Sequence, residues 1–416
     1  MNSVQLKTFV ASFLGWTLDA FDYFLVIVVV SYLAHDFKAT VVQVTVAVTV
    51  TLAMRPVGAL LFGWLADKYG RRRPLMIDVA LFSLIELATA FSPNLTVFII
   101  LRALFGIAMG GEWGLGSALA MEALPQRSRG LFSGILQEGY AVGNLLAGLA
   151  LALLFPYFQS HFGEGWRGLF VVGVLPGLLV FFIRAHVPES EVWKAGEKHR
   201  SGLGGDVLIA ALKRSWPLFI YGAVLMTTLN ALSHGTQDLY PTFLKAQLQF
   251  SPQTAGFITS IASFGAICGG IVFGLLSQRI GRRWAIVLAV AIGAAFVPLW
   301  AYNHTFALVA TGGFLMQFAV QGAWGVIPAH LNEIAPALAR GTFPGFVYQF
   351  GNLLSSGSAQ FIAVLATTTW GTVAAPNYAA ALATFTFVAL AAVAVMTLAG
   401  RYVVPEHRDA DFTALV

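Results

Sequence analysis

Runs of about twenty apolar residues recur twelve times in this chain, near 8–33, 42–66, 74–92, 95–122, 131–155, 166–186, 216–244, 253–278, 284–302, 304–333, 343–366 and 378–402. Each is long enough to cross the hydrocarbon core of a bilayer as a helix. The connections are short, so nearly every backbone polar group is satisfied within a helix, as hydrocarbon requires. The sequence is 58% hydrophobic and only 10% charged, a balance that belongs to membrane proteins rather than to large soluble cores. The first run follows a single cation, Lys7, and contains Asp19 and Asp22. It reads as a retained helix and not as a cleaved leader.

Cations set the expected orientation. Lys68, Arg71, Arg72, Arg73, Arg127, Arg129, Lys194, Lys198, Arg200, Lys213, Arg214, Arg279, Arg282, Arg283 and Arg340 fall in one set of loops, with Lys7, Arg184, Arg401 and Arg408 on the same side. The opposite loops hold only Lys38, Arg167 and Lys245. Both termini are therefore expected in the cytoplasm, in a bacterial-type inner membrane. The net charge of +5 is spread over many loops, so no nucleic-acid partner is implied. The single cysteine, Cys268, excludes an internal disulfide.

The two halves repeat each other at a constant offset of 211 residues. Gly63-Trp-Leu-Ala-Asp67-Lys-Tyr-Gly70-Arg71-Arg72 returns as Gly274-Leu-Leu-Ser277-Gln-Arg-Ile-Gly281-Arg282-Arg283. Gly111, Trp113 and Gly114 return as Gly322, Trp324 and Gly325; Glu122-x-x-Pro-x-x-x-Arg129-Gly returns as Glu333-x-x-Pro-x-x-x-Arg340-Gly. Two six-helix halves, 1–186 and 216–416, joined by a polar linker at 187–215, form the parallel-repeat plan of rocking transporters. The Arg71 and Arg282 clusters are expected to pair with Asp67, Glu122 and Glu333 at helix ends, with Arg129 and Arg340 beside them. Such pairs would latch one conformation and part in the other. A purely topological role, anchoring the loops in water, stays open. The second copy has Ser277-Gln in place of the Ala-Asp67 carboxylate, so its latch should be weaker.

These segments resemble the loop signatures of the major facilitator superfamily, and the Glu-x-x-Pro-x-x-x-Arg-Gly elements those of its sugar and organic-acid porters. The resemblance implies an all-α membrane protein with twelve transmembrane helices in two pseudo-symmetric six-helix bundles.

Residues that break the repeat are the better candidates for substrate chemistry. Arg55, in the middle of the second span, faces Ala266 at the repeat offset. A guanidinium there costs about 2.5–3.5 kcal/mol or more, and its fork fits a carboxylate. A permanent ion pair to Asp19, Asp22 or Glu138 is the structural alternative. In the seventh span Asn230, His234 and Asp238 stand at i, i+4 and i+8, along one helix face with Gln237 close by. His234, set deep in a span, titrates near physiological pH in ordinary surroundings, so His234 and Asp238 form a proton-accepting pair. A packing cluster is the plainer reading of the same residues. Gln349 and Asn352 in the eleventh span, and Gln137, Glu138, Tyr140 and Asn144 in the fifth, offer groups that orient a polar ligand. Asp22 and Glu138 are secondary proton carriers. Arg102 is expected to pair structurally or to assist proton coupling; Asp78 and Glu86 have no assigned role.

The stretch Asn230-x-x-Ser-His234-x-Thr-Gln-Asp238-x-x-x-Thr resembles the seventh-helix signature of the Jen-type monocarboxylate–proton symporters, relatives of the sialate–proton symporters. Asp19-Ala-Phe-Asp22, Arg55-Pro56, Gln137-Glu-Gly-Tyr140-Ala and Tyr348-Gln349-Phe-Gly-Asn352 match in the same order. The resemblance implies carboxylate binding and proton coupling by Arg55, Asn230, His234, Asp238, Gln349 and Asn352. Glu112 in Gly-Gly-Glu-Trp-Gly is nearer the sialate branch, whereas the longer central insertion of that branch is missing. The expectation is uptake of a small monocarboxylate such as lactate or pyruvate with a proton, by a monomer without a cofactor. A sialate or aromatic acid is the near alternative. Drug efflux is disfavoured by Arg55, a sensor would need a signalling domain, and no nucleophile–base or metal-ligand spacing suggests an enzyme.

Overall fold

A computed structural model describes residues 1–196, 207–407 and 411–415. Lys198, Arg200 and Arg408 lie outside them, as does the middle of the 187–215 linker. The described residues form twelve helical segments: α1 (Ser3–Asp36), α2 (Val41–Tyr69), α3 (Arg72–Ala90), α4 (Leu95–Ala123), α5 (Arg129–Gln137 and Gly139–Leu153) and α6 (Gly165–Val172 and Leu178–His186). The second set is α7 (Val207–Gln237), α8 (Pro252–Ile280), α9 (Arg282–Ala301), α10 (Phe306–Ile334), α11 (Phe343–Ser355 and Ser358–Val364) and α12 (Tyr378–Ala399). The boundaries reach past the apolar runs because the caps lie outside the hydrocarbon: Asn2, Thr40, Asn94 and Ser251 each accept a first-turn N–H. The seventh helix starts earlier than the apolar run suggests. Residues 207–214 are already helical, and a kink at Ser215 redirects the chain before Pro217.

Ten of the described helices are long and apolar enough to cross a membrane on their own. The other two are α3 and α11. Four charged residues, Arg72, Arg73, Asp78 and Glu86, dilute α3, and α11 is interrupted at Ser356-Gly357. Both are packed against neighbours that supply what lipid would not.

The repeat is visible in the backbone. Helices α2 and α8 occupy positions related by the 211-residue offset at both ends, and so do α4 and α10. Gly70 and Gly281 both turn the chain at φ 98°, where a side chain would be strained. Within each half the closest partners are α2 with α4 and α8 with α10. Between halves, α5 packs on α8 and α10, and α11 packs on α2 and α4. Glycines make this seam tight. A Cβ on Gly130 or Gly134 would overlap the carbonyls of Gly274 and Gly270, and one on Gly63 would overlap Thr342.

Both termini lie on one face, since Phe9 and Phe412 share an apolar cluster with Leu124, Leu136 and Val192. On that face the conserved-offset pairs form within halves. Arg71 bonds Asp67 at 3.0 Å and Glu122 at 3.1 Å; Arg282 holds Glu333 through two bonds of 2.7 and 2.9 Å. The pairs therefore do not themselves bridge the halves. The bridge is Asp67, whose carboxylate accepts from the Gly341 N–H (2.7 Å), the Thr342 N–H (3.0 Å) and the Thr342 hydroxyl (2.7 Å). At the repeat position of Asp67, Gln278 accepts from the Gly130 N–H at 3.2 Å, and Arg282 donates to Ser277 and Gln278 where Arg71 donates to Asp67. The acceptor at this position is therefore an uncharged amide.

Candidate functional site

A cavity of about 530 Å³ opens between the halves, on the far side of the seam from the termini. Its wall includes Arg55 of α2, Glu138, Tyr140 and Asn144 of α5, Asn230, His234 and Asp238 of α7, and Asn352 of α11. Residues from α8 and α10, including Ser263, Gln317 and Gln321, complete it.

Arg55 is 2% exposed, and neither its Nε nor its Nη2 has a hydrogen-bond partner among the described residues. No carboxylate pairs with it, so the permanent ion pair weighed from the sequence is not formed. Asp19 lies near enough to feel its charge, and the Tyr23 ring centroid is 6.0 Å from its Cζ. A buried guanidinium with unpaired donors beside a cavity has the charge and the fork that a carboxylate matches.

The opposite pole is His234. Its Nδ1 is 3.0 Å from Asp238 Oδ2, and its Nε2 is 3.0 Å from Asn352 Oδ1. Two acceptors on one imidazole suit the doubly protonated ring, whereas a neutral ring needs one of them replaced by a donor. Rotation of the Asn352 amide would present its NH2 to Nε2, so the proton on His234 and the pose of α11 are linked. Asn230 also lines the wall, with its amide NH2 held by the Met226 carbonyl at 2.8 Å. Its carbonyl oxygen is left as the free end.

Two predicted residues stand elsewhere. Gln349 is fully buried with both amide atoms unpartnered, behind the wall. Tyr348 and Asn352 are one turn apart and share the cavity face, which rotates Gln349 away. Asp22 is likewise enclosed and outside the wall. It belongs to a buried acidic group in the first half, with Asp19, Asp78 and Glu112, none bonded to a described partner. Glu86, near that group, pairs with Arg102, which also donates to Thr89 at 3.1 Å and lies 4.1 Å from the Phe105 ring centroid. This places Arg102 and Glu86 in a structural pair. Glu138 does reach the cavity, at the break between the two parts of α5, with Oε1 pressed on Gly270 of α8 and unpartnered.

The floor is aromatic. Tyr140 stacks on Trp16 at 5.6 Å and meets Phe24 at 5.0 Å; Tyr348 meets Trp113 at 4.6 Å and Trp324 at 5.4 Å. Trp324 Nε1 donates to Ser233 at 2.6 Å. The repeat mates Trp113 and Trp324 thus meet on Tyr348 beneath the cavity. His330, one turn from the end of α10, is fully buried, and neither ring nitrogen has a partner among the described residues; its place near the helix end gives no sequence signal for such burial.

Residues 12–236 match the family described as Major Facilitator Superfamily, and residues 207–406 match Sugar (and other) transporter. The chain is 33% identical over 84% of its length to a "Carboxylic acid transporter protein homolog" of Saccharomyces cerevisiae and spans 60% of that relative's length. It is 32% identical to a "Probable 4-methylmuconolactone transporter" of Cupriavidus pinatubonensis, covering 87% of this chain and 84% of that one. Its fold superposes on the proton:xylose symporter XylE bound to 6-bromo-6-deoxy-D-glucose with a TM-score of 0.74 at 18% identity, over 99% of this chain and 98% of that one.

Proposed function

Because the chain belongs to the Major Facilitator Superfamily, a family of membrane transporters and not of enzymes, we propose that it takes up an organic monocarboxylate together with a proton by alternating access. The observation that carries this reading is the enclosed, unpaired Arg55 guanidinium at the cavity wall. It supplies the positive charge a carboxylate needs, with two donors ready. Across the cavity the His234–Asp238–Asn352 chain accepts the proton. Carboxylate on Arg55 and proton on His234 leave the cavity less polar than either alone, which favours rocking of the loaded or the empty carrier. Gln349 would act from behind the wall, through Tyr348 and Asn352. The cation-rich terminal face is assigned to the cytoplasm of an inner-membrane protein. One chain forms the whole cavity, so a monomer suffices.

Two readings of the acid differ in size. The Jen-type signature favours lactate or pyruvate. The cavity favours a larger, ring-bearing acid: about 530 Å³ lies within the roughly 300–1,000 Å³ of sites for drug-sized ligands. Tyr140 and Tyr348 offer flat faces above the aromatic floor, and one relative is named for 4-methylmuconolactone. In proteoliposomes under an inward pH gradient, labelled lactate or pyruvate should accumulate, and unlabelled aromatic acids, muconates and sialate should be tested as competitors. Competition by a ring acid at concentrations at least tenfold below lactate selects the larger class. If no acid in the panel accumulates with the gradient, the proposal is wrong.

Uptake should rise as external pH falls through the neutral range, where an imidazole gains its proton. His234→Ala and Asp238→Asn should abolish net, gradient-driven uptake while counterflow exchange of the same acid persists. Equal loss of both activities would place these residues in acid binding and not in proton coupling.

A further inference from the structure

The described residues beyond α12 touch both halves on the terminal face. They are first fastened to the second half. Arg283 Nη2 donates to the Gly400 carbonyl (3.1 Å) and the Val404 carbonyl (2.6 Å), and the Arg282 N–H donates to the Glu406 carboxylate. Phe412 then sits fully buried in a cluster made mainly by the first half, with Phe9, Met121, Leu124 and Leu136, together with Ala329 of α10. The helix Phe412–Leu415 also packs on the helix Glu191–Ala195 that follows α6.

Two guanidinium groups lie over the Phe412 ring. Arg129, at the start of α5, is 3.7 Å from its centroid, and Arg340, its repeat mate before α11, is 4.4 Å away. Arg340 Nε and Nη1 have no hydrogen-bond partner, so the ring face is the partner they have. Glu333 attracts Arg129 and Glu122 attracts Arg340, each across the seam. The aromatic face between the two guanidinium groups attracts both, because its quadrupole presents negative charge to each.

We propose that Phe412 is a removable strap: seated, it holds the terminal face shut by joining Arg129 of the first half to Arg340 of the second through one ring; withdrawn, it removes that join and favours parting of the halves. The strap acts in addition to the Asp67 clamp and is independent of which acid is carried. Burial disfavours the charge on Arg340, and Glu122 across the seam attracts it.

The test uses the full chain in lipid nanodiscs, where both faces are open to reagent. Cys268→Ser removes the only cysteine, and Ser117→Cys provides a reporter that is 1% exposed and touches Asn332 across the seam (3.2 Å). Phe412→Ala should speed maleimide labelling of that reporter about tenfold, the size expected for two ring–cation contacts. Phe412→Trp should label at the parent rate and shows that substitution there is tolerated. Phe412→Leu keeps apolar contact without the ring face and should also label faster. Parent-rate labelling of the alanine variant overturns the strap, and parent-rate labelling of the leucine variant alone overturns the role of the ring.

Discussion

Arg55→Gln is expected to abolish concentrative uptake while leaving the protein at least as stable as the parent. The two effects part because of what Arg55 lacks. If the guanidinium were one member of a permanent buried ion pair, removing it would strand its partner and destabilise the fold by about 3–5 kcal/mol. Arg55 has no such partner: its Nε and Nη2 are enclosed and idle. Removing an uncompensated charge from a 2%-exposed site relieves desolvation. The loss falls instead on the loaded state, where about 2–5 kcal/mol of charge-assisted bonding to the acid disappears, roughly 30-fold or more in affinity. Arg55→Lys should recover part of the affinity, since it restores charge but not the fork. The measurements are substrate binding by calorimetry and the melting temperature in detergent. A drop of several degrees in melting temperature with affinity intact would assign Arg55 to structure.

The second large effect is expected at Asp67. Asp67→Ala should lower stability by about 3–5 kcal/mol and halt turnover. The carboxylate satisfies two buried backbone N–H groups and a hydroxyl of the other half, and one guanidinium of its own. Each orphaned donor costs about 1–3 kcal/mol. Gln278→Ala, at the repeat position, should do far less. There a neutral amide accepts from the Gly130 N–H at 3.2 Å across the seam, a bond worth about 1 kcal/mol. Thermal unfolding and labelling of the Ser117→Cys reporter in both variants check the ratio. Equal effects would mean that the carboxylate is not what holds the terminal face.

The apolar runs, the cation bias and the 211-residue offset made the helix count and the pairing of α2 with α8 and α4 with α10 readable in advance. These properties are local or periodic, so a sequence carries them directly. The division of α5 at Glu138 was not readable, because the Gly-rich run around it is equally apolar on both sides and only packing on α8 bends it. The i, i+4 spacing predicted the His234–Asp238 contact, which formed within one helix. The His234–Asn352 contact spans 118 residues and depends on how α7 meets α11, which no spacing encodes. Gln349 illustrates the converse. Its type and its neighbours suggested a ligand contact, yet helix rotation set by Tyr348 and Asn352 turned it behind the wall. Charged residues were found easily and their partners were not. Glu86 stood unassigned until α3 packed on α4 and brought it to Arg102.

The seam of glycines has a kinetic consequence. Gly63 meets Gly341 and Thr342, and the repeat mates Gly274 and Gly130 meet in the same way. Gly114 and Gly345 also touch, backbone on backbone. Interlocked side chains would have to disengage one by one before the halves could part, and each would expose apolar area. Smooth main-chain surfaces separate without rotamer changes and uncover little that water or lipid rejects. The seam is expected to behave as a sliding bearing, with fasteners such as Asp67 setting how often it opens and the bare backbone how fast.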